Sequence, residues 1–223
     1  MIVRIRKVLP GDALDRIEGL IGAVEWIDGR ETALGSATSI KYNRQARLDD
    51  EALKGIRLIV MENLMRNEAF TGAAFPMRVT PPLLSCYDEG MYYGDHVDLP
   101  IMQGRPPVRT DLAATLFLSE SENYDGGELI IGSDLLSHKI KLDKGDVVLY
   151  PAETTHRVET VRSGRRLALI FWVQSFVRHA DRRALLSELA YLESQWASVA
   201  PKASPDMRLR RIRATLMRMW ADT

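Results

Sequence analysis

From residue 76 to residue 175 the chain is cut into short apolar runs separated by turn signals, and this rhythm constrains the fold more than any other feature. Arg78 to Leu84 is one run, broken by Pro81-Pro82, which places it at a sheet edge or a bend. Thr110 to Leu118 is nearly all apolar and predicts a buried strand. Asp125-Gly126-Gly127 predicts a turn ahead of a strand from Glu128 to Ile131. Ile140 and Leu142 alternate with lysines, as a half-exposed strand would, and Gly145-Asp146 turns the chain into Val147 to Tyr150. Arg165 to Ser175 predicts a long strand with Leu167, Leu169, Phe171 and Val173 on one side. Many strands at regular spacing, without helices alternating between them, exclude a doubly wound sheet. The expected fold class is mainly β with flanking helices, a jelly roll or double-stranded β-helix.

Helices are expected at both ends. Met1-Ile2-Val3-Arg4-Ile5-Arg6 alternates apolar and basic residues, which predicts a strand over residues 2–9 and not a signal peptide. Asp12 is placed to cap a helix carrying Leu14, Ile17, Leu20, Ile21 and Val24, which Trp26-Ile27-Asp28-Gly29-Arg30 ends in a turn. Residues 31–48 read as an irregular loop with a short strand at Lys41 to Asn43. Asp49 and Asp50 open a second helix with Leu53, Ile56, Val60 and Leu64 on one face. In the tail, Asp181 is placed to cap a helix with Leu185, Leu189, Leu192 and Trp196, broken by Pro201 and Pro205. A last helix carries Leu209, Ile212, Leu216 and Met219. The expected organisation is a jelly-roll domain over residues 1–177 and a helical extension over residues 178–223 packed on it.

Thirty basic and thirty acidic side chains cancel, so no global field calls for nucleic acid or an anionic membrane. Residues 201–223 hold six basic residues against two acidic ones, which reads as a charged solvent face. No apolar run approaches the ~20 residues of a membrane span. The single cysteine, Cys86, excludes an internal disulfide framework and reads as packing, so a cytoplasmic setting is expected. An exposed apolar stripe on either tail helix would suit a homo-oligomer.

The chemistry-bearing stretch is Tyr87 to Asp98, whose core is His96-Val97-Asp98. On an extended strand residues i and i+2 project to the same side, so both side chains can reach one point. A third ligand is needed, and His156 is the candidate, with His138 and His179 as solvent-facing competitors. Two imidazoles and one carboxylate on one face of a metal leave adjacent positions open, as in non-haem Fe(II) oxygenases. Arg166 sits on the opposite side of its strand from Leu167 and Leu169. If the leucines pack outward on helices, Arg166 points into the roll and needs an anion, from a dicarboxylate co-substrate or from a structural salt bridge. Tyr87, Tyr93 and Tyr150 are phenols suited to the mouth of a small pocket.

Taken together, Tyr87-x-x-Gly90-x-x-Tyr93-x-x-His96-x-Asp98, then His156, then Arg166, resembles the prolyl 4-hydroxylase-like branch of Fe(II)- and 2-oxoglutarate-dependent dioxygenases. The whole chain is similar to the bacterial PKHD-type hydroxylases. That closer resemblance rests on Trp26-Ile27-Asp28-Gly29-Arg30, Arg109-Thr110-Asp111-Leu112, Tyr124-Asp125-Gly126-Gly127-Glu128, Leu149-Tyr150-Pro151 and Phe171-Trp172-Val173-Gln174-Ser175. The resemblance implies a double-stranded β-helix with iron held by His96, Asp98 and His156. It implies that Arg166 binds the distal carboxylate of 2-oxoglutarate, with Tyr93 as a helper, and that dioxygen and L-ascorbate complete the cofactor set. The implied reaction hydroxylates a C–H bond of a peptidyl, amino-acid or small-metabolite substrate and releases succinate and CO2. Leu99-Pro100 departs from the polar residues expected after His-x-Asp, and the tail beyond Ser175 carries no motif of the family.

The loop from Leu99 to Val108 follows the metal motif and is expected to border the substrate, with Arg109 and Asp111 either orienting it or bracing the loop. Two rival readings predict different things. A non-catalytic iron- or ligand-binding jelly roll has no use for the Arg166 clamp. A nucleic-acid-base dioxygenase needs a basic groove with aromatic stacking residues beside the iron.

Overall fold

A computed structural model of the chain describes residues 2–32, 35–133, 136–199 and 207–222. The chain opens with β1 (Val3–Ile5), α1 (Gly11–Ile21) and β2 (Trp26–Asp28), followed by 3-10 turns over Gly29–Thr32 and Gly35–Ile40. Then come β3 (Lys41–Tyr42), β4 (Arg44–Ala46), α2 (Glu51–Arg66) and α3 (Glu68–Ala74). The central series runs β5 (Pro76–Val79), β6 (Leu83–Tyr87), β7 (Tyr92–His96), β8 (Ile101–Met102), β9 (Val108–Arg109) and β10 (Leu112–Phe117). It continues with β11 (Tyr124–Gly126), β12 (Leu129–Ser133), β13 (Leu136–Ile140), β14 (Val147–Pro151), β15 (His156–Val158), β16 (Val161–Gly164) and β17 (Arg166–Ser175). Two helices close the described chain, α4 (Ala180–Val199) and α5 (Met207–Trp220).

Two antiparallel sheets face each other as a jelly roll. The larger is ordered β1-β14-β10-β17-β6-β4-β2, with β5 also on β17, and the smaller is ordered β13-β12-β15-β7-β3. Period-2 alternation divides the larger sheet's side chains between two cores. Leu112, Ala114 and Leu116 of β10 and Leu169, Phe171 and Val173 of β17 face a layer made by Ile17 of α1, Leu53, Ile56, Val60 and Leu64 of α2, and Phe70 of α3. Ala113, Phe117, Val148, Tyr150 and Trp172 face the other way, onto Leu129, Ile131, Ile140 and Val158 of the smaller sheet. Each fully buried Leu, Ile or Phe in these layers contributes roughly 1.5–3 kcal/mol. The outward leucines of β17 leave Arg166 on the inner side, 1% exposed.

Several local expectations are corrected. Asp12 does not cap α1: the N-cap is Pro10, without a side-chain bond, and Asp12 falls in the first turn. Asp181 likewise lies inside α4, which begins at Ala180. Trp26 to Asp28 forms a strand, not a turn, because β4 gives it a partner across the intervening loop. Tyr124 to Gly126 is a short strand on β16, where a turn was expected. Helix α3 has its own cap in Asn67, whose Oδ1 accepts from Phe70 N at 2.9 Å, a signal the sequence reading passed over. Asp50 caps α2 as expected, accepting from Leu53 N at 2.8 Å.

The apolar stripe of α4 turns outward. Leu185, Leu192 and Trp196 are about half exposed, and Leu186 is the residue that packs fully inside. Ser187 Oγ donates to Gly72 O at 3.0 Å and so seats α4 on α3. Helix α5 has no buried residue, with Ile212 and Met219 exposed. Pairing of Arg213 with Glu193 ties it to α4, and Asp222, just past its end, pairs with Arg109.

Candidate active site

His96 and His156 lie directly opposite each other where β7 pairs with β15. Asp98 lies two residues beyond the end of β7, so its reach does not come from the strand itself, as the spacing argument assumed. The three side chains nonetheless bring one ligand atom each to within 4.8 Å of one another, a grouping no other described residues form. Asp98 Oδ1 is 4.0 Å from His96 Nε2 and 3.7 Å from His156 Nε2. Each imidazole is turned by its own backbone. His96 Nδ1 is 2.8 Å from Gly94 O, and His156 Nδ1 is 3.0 Å from Thr154 O. A carbonyl can only accept, so each Nδ1 carries the hydrogen and each Nε2 keeps a lone pair aimed inward. His138 and His179 are exposed and stay outside this cluster.

Aromatic rings pack the site. The Tyr93 ring stacks on His96 with centroids 3.7 Å apart, and Tyr150 meets His156 edge-on at 5.1 Å. Burial pushes both histidines down, helped at His96 by the neighbouring His156, so neutral imidazoles face the cluster. Burial pushes Asp98 up, opposed by the Trp172 indole N–H and by His96. The Trp172 indole lies near the Asp98 carboxylate, and neither Trp172 Nε1 nor Asp98 Oδ2 makes a hydrogen bond of good geometry to a described residue.

Deeper in the roll, Arg166 lies between the rings of Tyr87 and Phe117, at 5.2 and 5.4 Å. Among the described residues its Nε and Nη1 make no hydrogen bond of good geometry, and nor does the hydroxyl of Tyr124, which lies near enough to act on the guanidinium. Gly127 makes room for it, since a Cβ there would meet Arg166 Cδ at 3.0 Å. Tyr124 and Trp172 carry polar atoms aimed into the site that the motif reading did not single out; their place in Tyr-Asp-Gly-Gly-Glu and Phe-Trp-Val-Gln-Ser was the signal.

Arg109 and Asp111 are engaged with each other. Arg109 grips both oxygens of Asp111 at 2.7 and 3.0 Å and also reaches Asp222 at 3.1 Å, while Asp111 accepts from Ser175 N at 2.8 Å. The loop after the metal motif folds into the β8–β9 hairpin and is pinned by Thr110 Oγ1 donating to Leu99 O at 2.6 Å. Val97, Leu99 and Ile101 stand exposed along it.

Comparison with known proteins agrees with this geometry. Residues 82–174 match the family model of the 2OG-Fe(II) oxygenase superfamily. PKHD-type hydroxylases from Hyphomonas neptunium and Nitrobacter winogradskyi are 38% and 41% identical to this chain over the full length of both partners. The chain belongs to the PKHD-type hydroxylases. It is therefore an oxygenase of the 2OG-Fe(II) superfamily, whose chemistry uses Fe(II), 2-oxoglutarate and dioxygen. Among solved structures, a Pseudomonas putida prolyl-4-hydroxylase superposes with a TM-score of 0.53 at 20% identity, over 78% of this chain and 92% of its own. A Trichoplax adhaerens prolyl hydroxylase gives 0.54 at 18% identity, over 82% and 86%. At that identity they establish the jelly-roll fold that the hydroxylase shares with them. No described helix of this hydroxylase is long and apolar enough to cross a membrane.

Proposed function

We propose that this hydroxylase acts on a C–H bond of a small-molecule or peptidyl substrate, with Fe(II) held by His96, Asp98 and His156 and 2-oxoglutarate anchored by Arg166. One observation carries the reading: three inward-facing donor atoms converge on the inner side of a roll that also buries a guanidinium with no carboxylate partner among the described residues. The residues fit both groups. Two imidazole lone pairs and a carboxylate suit Fe(II), and an unpartnered guanidinium with an unpartnered phenol suits a carboxylate. When bound, iron and 2-oxoglutarate supply the oxidising power, with dioxygen consumed and succinate and CO2 released.

The chain's own part is positioning and exclusion. Gly94 O and Thr154 O hold the two imidazoles in the tautomer that presents Nε2. Trp172 sets its indole N–H near the Asp98 carboxylate. Arg166, Tyr124 and Tyr87 clamp the distal carboxylate, and Tyr93 covers His96 from water. Arg109 and Asp111 take the bracing role, linking the mouth loop to β17 and to the chain end. Residues 1–177 form the catalytic unit and residues 178–223 an extension packed on it. L-ascorbate is the reductant and the cytoplasm the setting of this reading. A module that merely stored metal would gain nothing from Arg166.

Anaerobic ultraviolet–visible titration with Fe(II) and then 2-oxoglutarate tests the site. Wild type is expected to develop a weak visible charge-transfer band that His156→Ala lacks. Iron binding without the band would favour a non-catalytic binding module, and no iron binding would sink the assignment.

A further inference from the structure

Residues 41–45 alternate in a way the site described above leaves unused. Lys41, Asn43 and Gln45 are 6%, 2% and 5% exposed, whereas Tyr42 stands half exposed and Arg44 pairs with Asp88. Polar residues at i, i+2 and i+4 of an extended chain share one side. Here it is the inner side. Lys41 is directly opposite Tyr93 in β7, and Gln45 is directly opposite Ser85 in β6, so each pair points the same way. Tyr93 stacks on His96, and Tyr87, beside Asn43, lies against Arg166. The strip thus crosses from the smaller sheet to the larger one, on the side of the roll that holds both.

Its hydrogen bonding is incomplete. Lys41 Nζ donates to Thr32 Oγ1 at 2.9 Å and to Gln45 Oε1 at 3.2 Å, both neutral acceptors. Asp28, the carboxylate that acts on it, is already gripped through both oxygens by Arg30. Burial pulls the ammonium down to about 8, which leaves it charged at neutral pH. The Asn43 amide makes no hydrogen bond of good geometry to a described residue, although it acts on the neighbouring Tyr87 phenol, and it is pressed over Gly29, where a Cβ would fall 1.8 Å from Oδ1. A buried ammonium among neutral acceptors and a buried amide with only a poorly aligned acceptor are both costly unless a ligand completes them.

Charge decides which ligand. Fe(II) would be balanced by Asp98 and the keto-acid carboxylate of 2-oxoglutarate, and Arg166 by its distal carboxylate. Among the described residues Lys41 shares Asp28 with Arg30, so that group keeps one surplus positive charge. We infer that the Lys41–Asn43–Gln45 strip is the recognition subsite for the primary substrate, and that the group it takes is a carboxylate. The ammonium neutralises the charge and the Asn43 N–H donates to one oxygen. The substrate class is then a free α-amino or imino acid, or the C-terminal residue of a short peptide, and not an internal peptide segment. The inference rests on the function proposed above, because assigning Arg166 to 2-oxoglutarate is what leaves the charge at Lys41 in surplus.

The experiment uses the full chain, anaerobic, loaded with Fe(II) and 2-oxoglutarate. The common L-amino acids and a set of Gly-Gly-X tripeptides are titrated calorimetrically, each acid beside its C-terminal amide. At least one acid is expected to bind, with its amide weaker by roughly ten- to a hundredfold. Which arm responds tells free amino acid from peptide terminus. Lys41→Met should lower the acid to the affinity of its amide while 2-oxoglutarate affinity holds, and Lys41→Arg should retain acid preference. The inference is overturned if no acid binds, if acid and amide bind alike, or if Lys41→Met keeps acid affinity or loses 2-oxoglutarate along with it. Should Lys41→Met not fold, the acid–amide comparison in wild type and Lys41→Arg decides. Absence of the 2-oxoglutarate band in wild type would instead mark failure of the underlying function, which takes the inference with it.

Discussion

Arg166 is a buried charge that the proposed 2-oxoglutarate would complete. A guanidinium 1% exposed, with Nε and Nη1 unpartnered and aromatic rings on either side, is held at a cost in the ligand-free protein. Removing that charge should therefore have opposite effects on folding and on binding. Arg166→Met is expected to stabilise the ligand-free protein by roughly 1–3 kcal/mol, seen as a higher melting temperature. The same change should weaken 2-oxoglutarate about a hundredfold in a spectrophotometric titration. A variant that melts lower and binds 2-oxoglutarate normally would show that Arg166 is structural. The histidines follow a related logic, since a carbonyl two residues back fixes the ring of each, and the tautomer is set before metal arrives.

At the scale of elements, the helices are set apart from the chemistry by the larger sheet, so their defects should cost stability alone. Asn67 ends α2 and caps α3, accepting from Phe70 N, and that turn brings Phe70 edge-on to Phe171 at 6.2 Å. Asn67→Ala is expected to lose about 1 kcal/mol in denaturant unfolding, the usual cost of a lost N-cap. Its Fe(II) titration should match wild type, and a changed iron affinity would mean that the helical layer communicates with the site. The strands behave differently, because β7, β15 and β17 carry His96, His156 and Arg166, the side chains to which the proposed function gives the chemistry. On α4, periodicity correctly marks an apolar stripe, yet docking through Leu186 and Ser187 leaves Leu185, Leu192 and Trp196 facing out.

For the molecule as a whole, the roll is two sheets joined by an apolar core that also buries unpaired polar groups at a cost. Ligands that complete those groups bind the native state alone and must stabilise it by mass action. At a hundredfold excess over its dissociation constant, a ligand adds about 2.7 kcal/mol, which in a chain of this size lifts the melting temperature by roughly 5–10 °C. Fe(II) with 2-oxoglutarate, added anaerobically, is expected to produce a rise of this order in wild type, to lose it on chelation, and to produce none in His156→Ala. An equal rise in His156→Ala would place the metal elsewhere. The tail joins the same body through Asp222 on Arg109 and the pairing of Val177 with Ala221, beside the brace of the mouth loop.

What the sequence determined by itself was whatever depends on short-range periodicity. The strand rhythm between residues 76 and 175 and the inward turn of Arg166 against Leu167 and Leu169 follow from local spacing, whereas the grouping of His96, Asp98 and His156 came from a motif shared with a family. The tertiary structure alone decided what each exposed-looking polar residue met. Lys41, Asn43 and Gln45 sit in a stretch that reads as an irregular loop with a short strand at Lys41 to Asn43, and they are buried only because β3 pairs with β7 and β4 pairs with β6, more than thirty residues on. Tyr124 and Trp172 became part of the site in the same way, through neighbours brought in by the roll. Alternation tells which side of a strand a residue takes, and periodicity which face of a helix. Neither says what will be packed against that side, because long-range pairing is chosen by the summed burial of the whole fold.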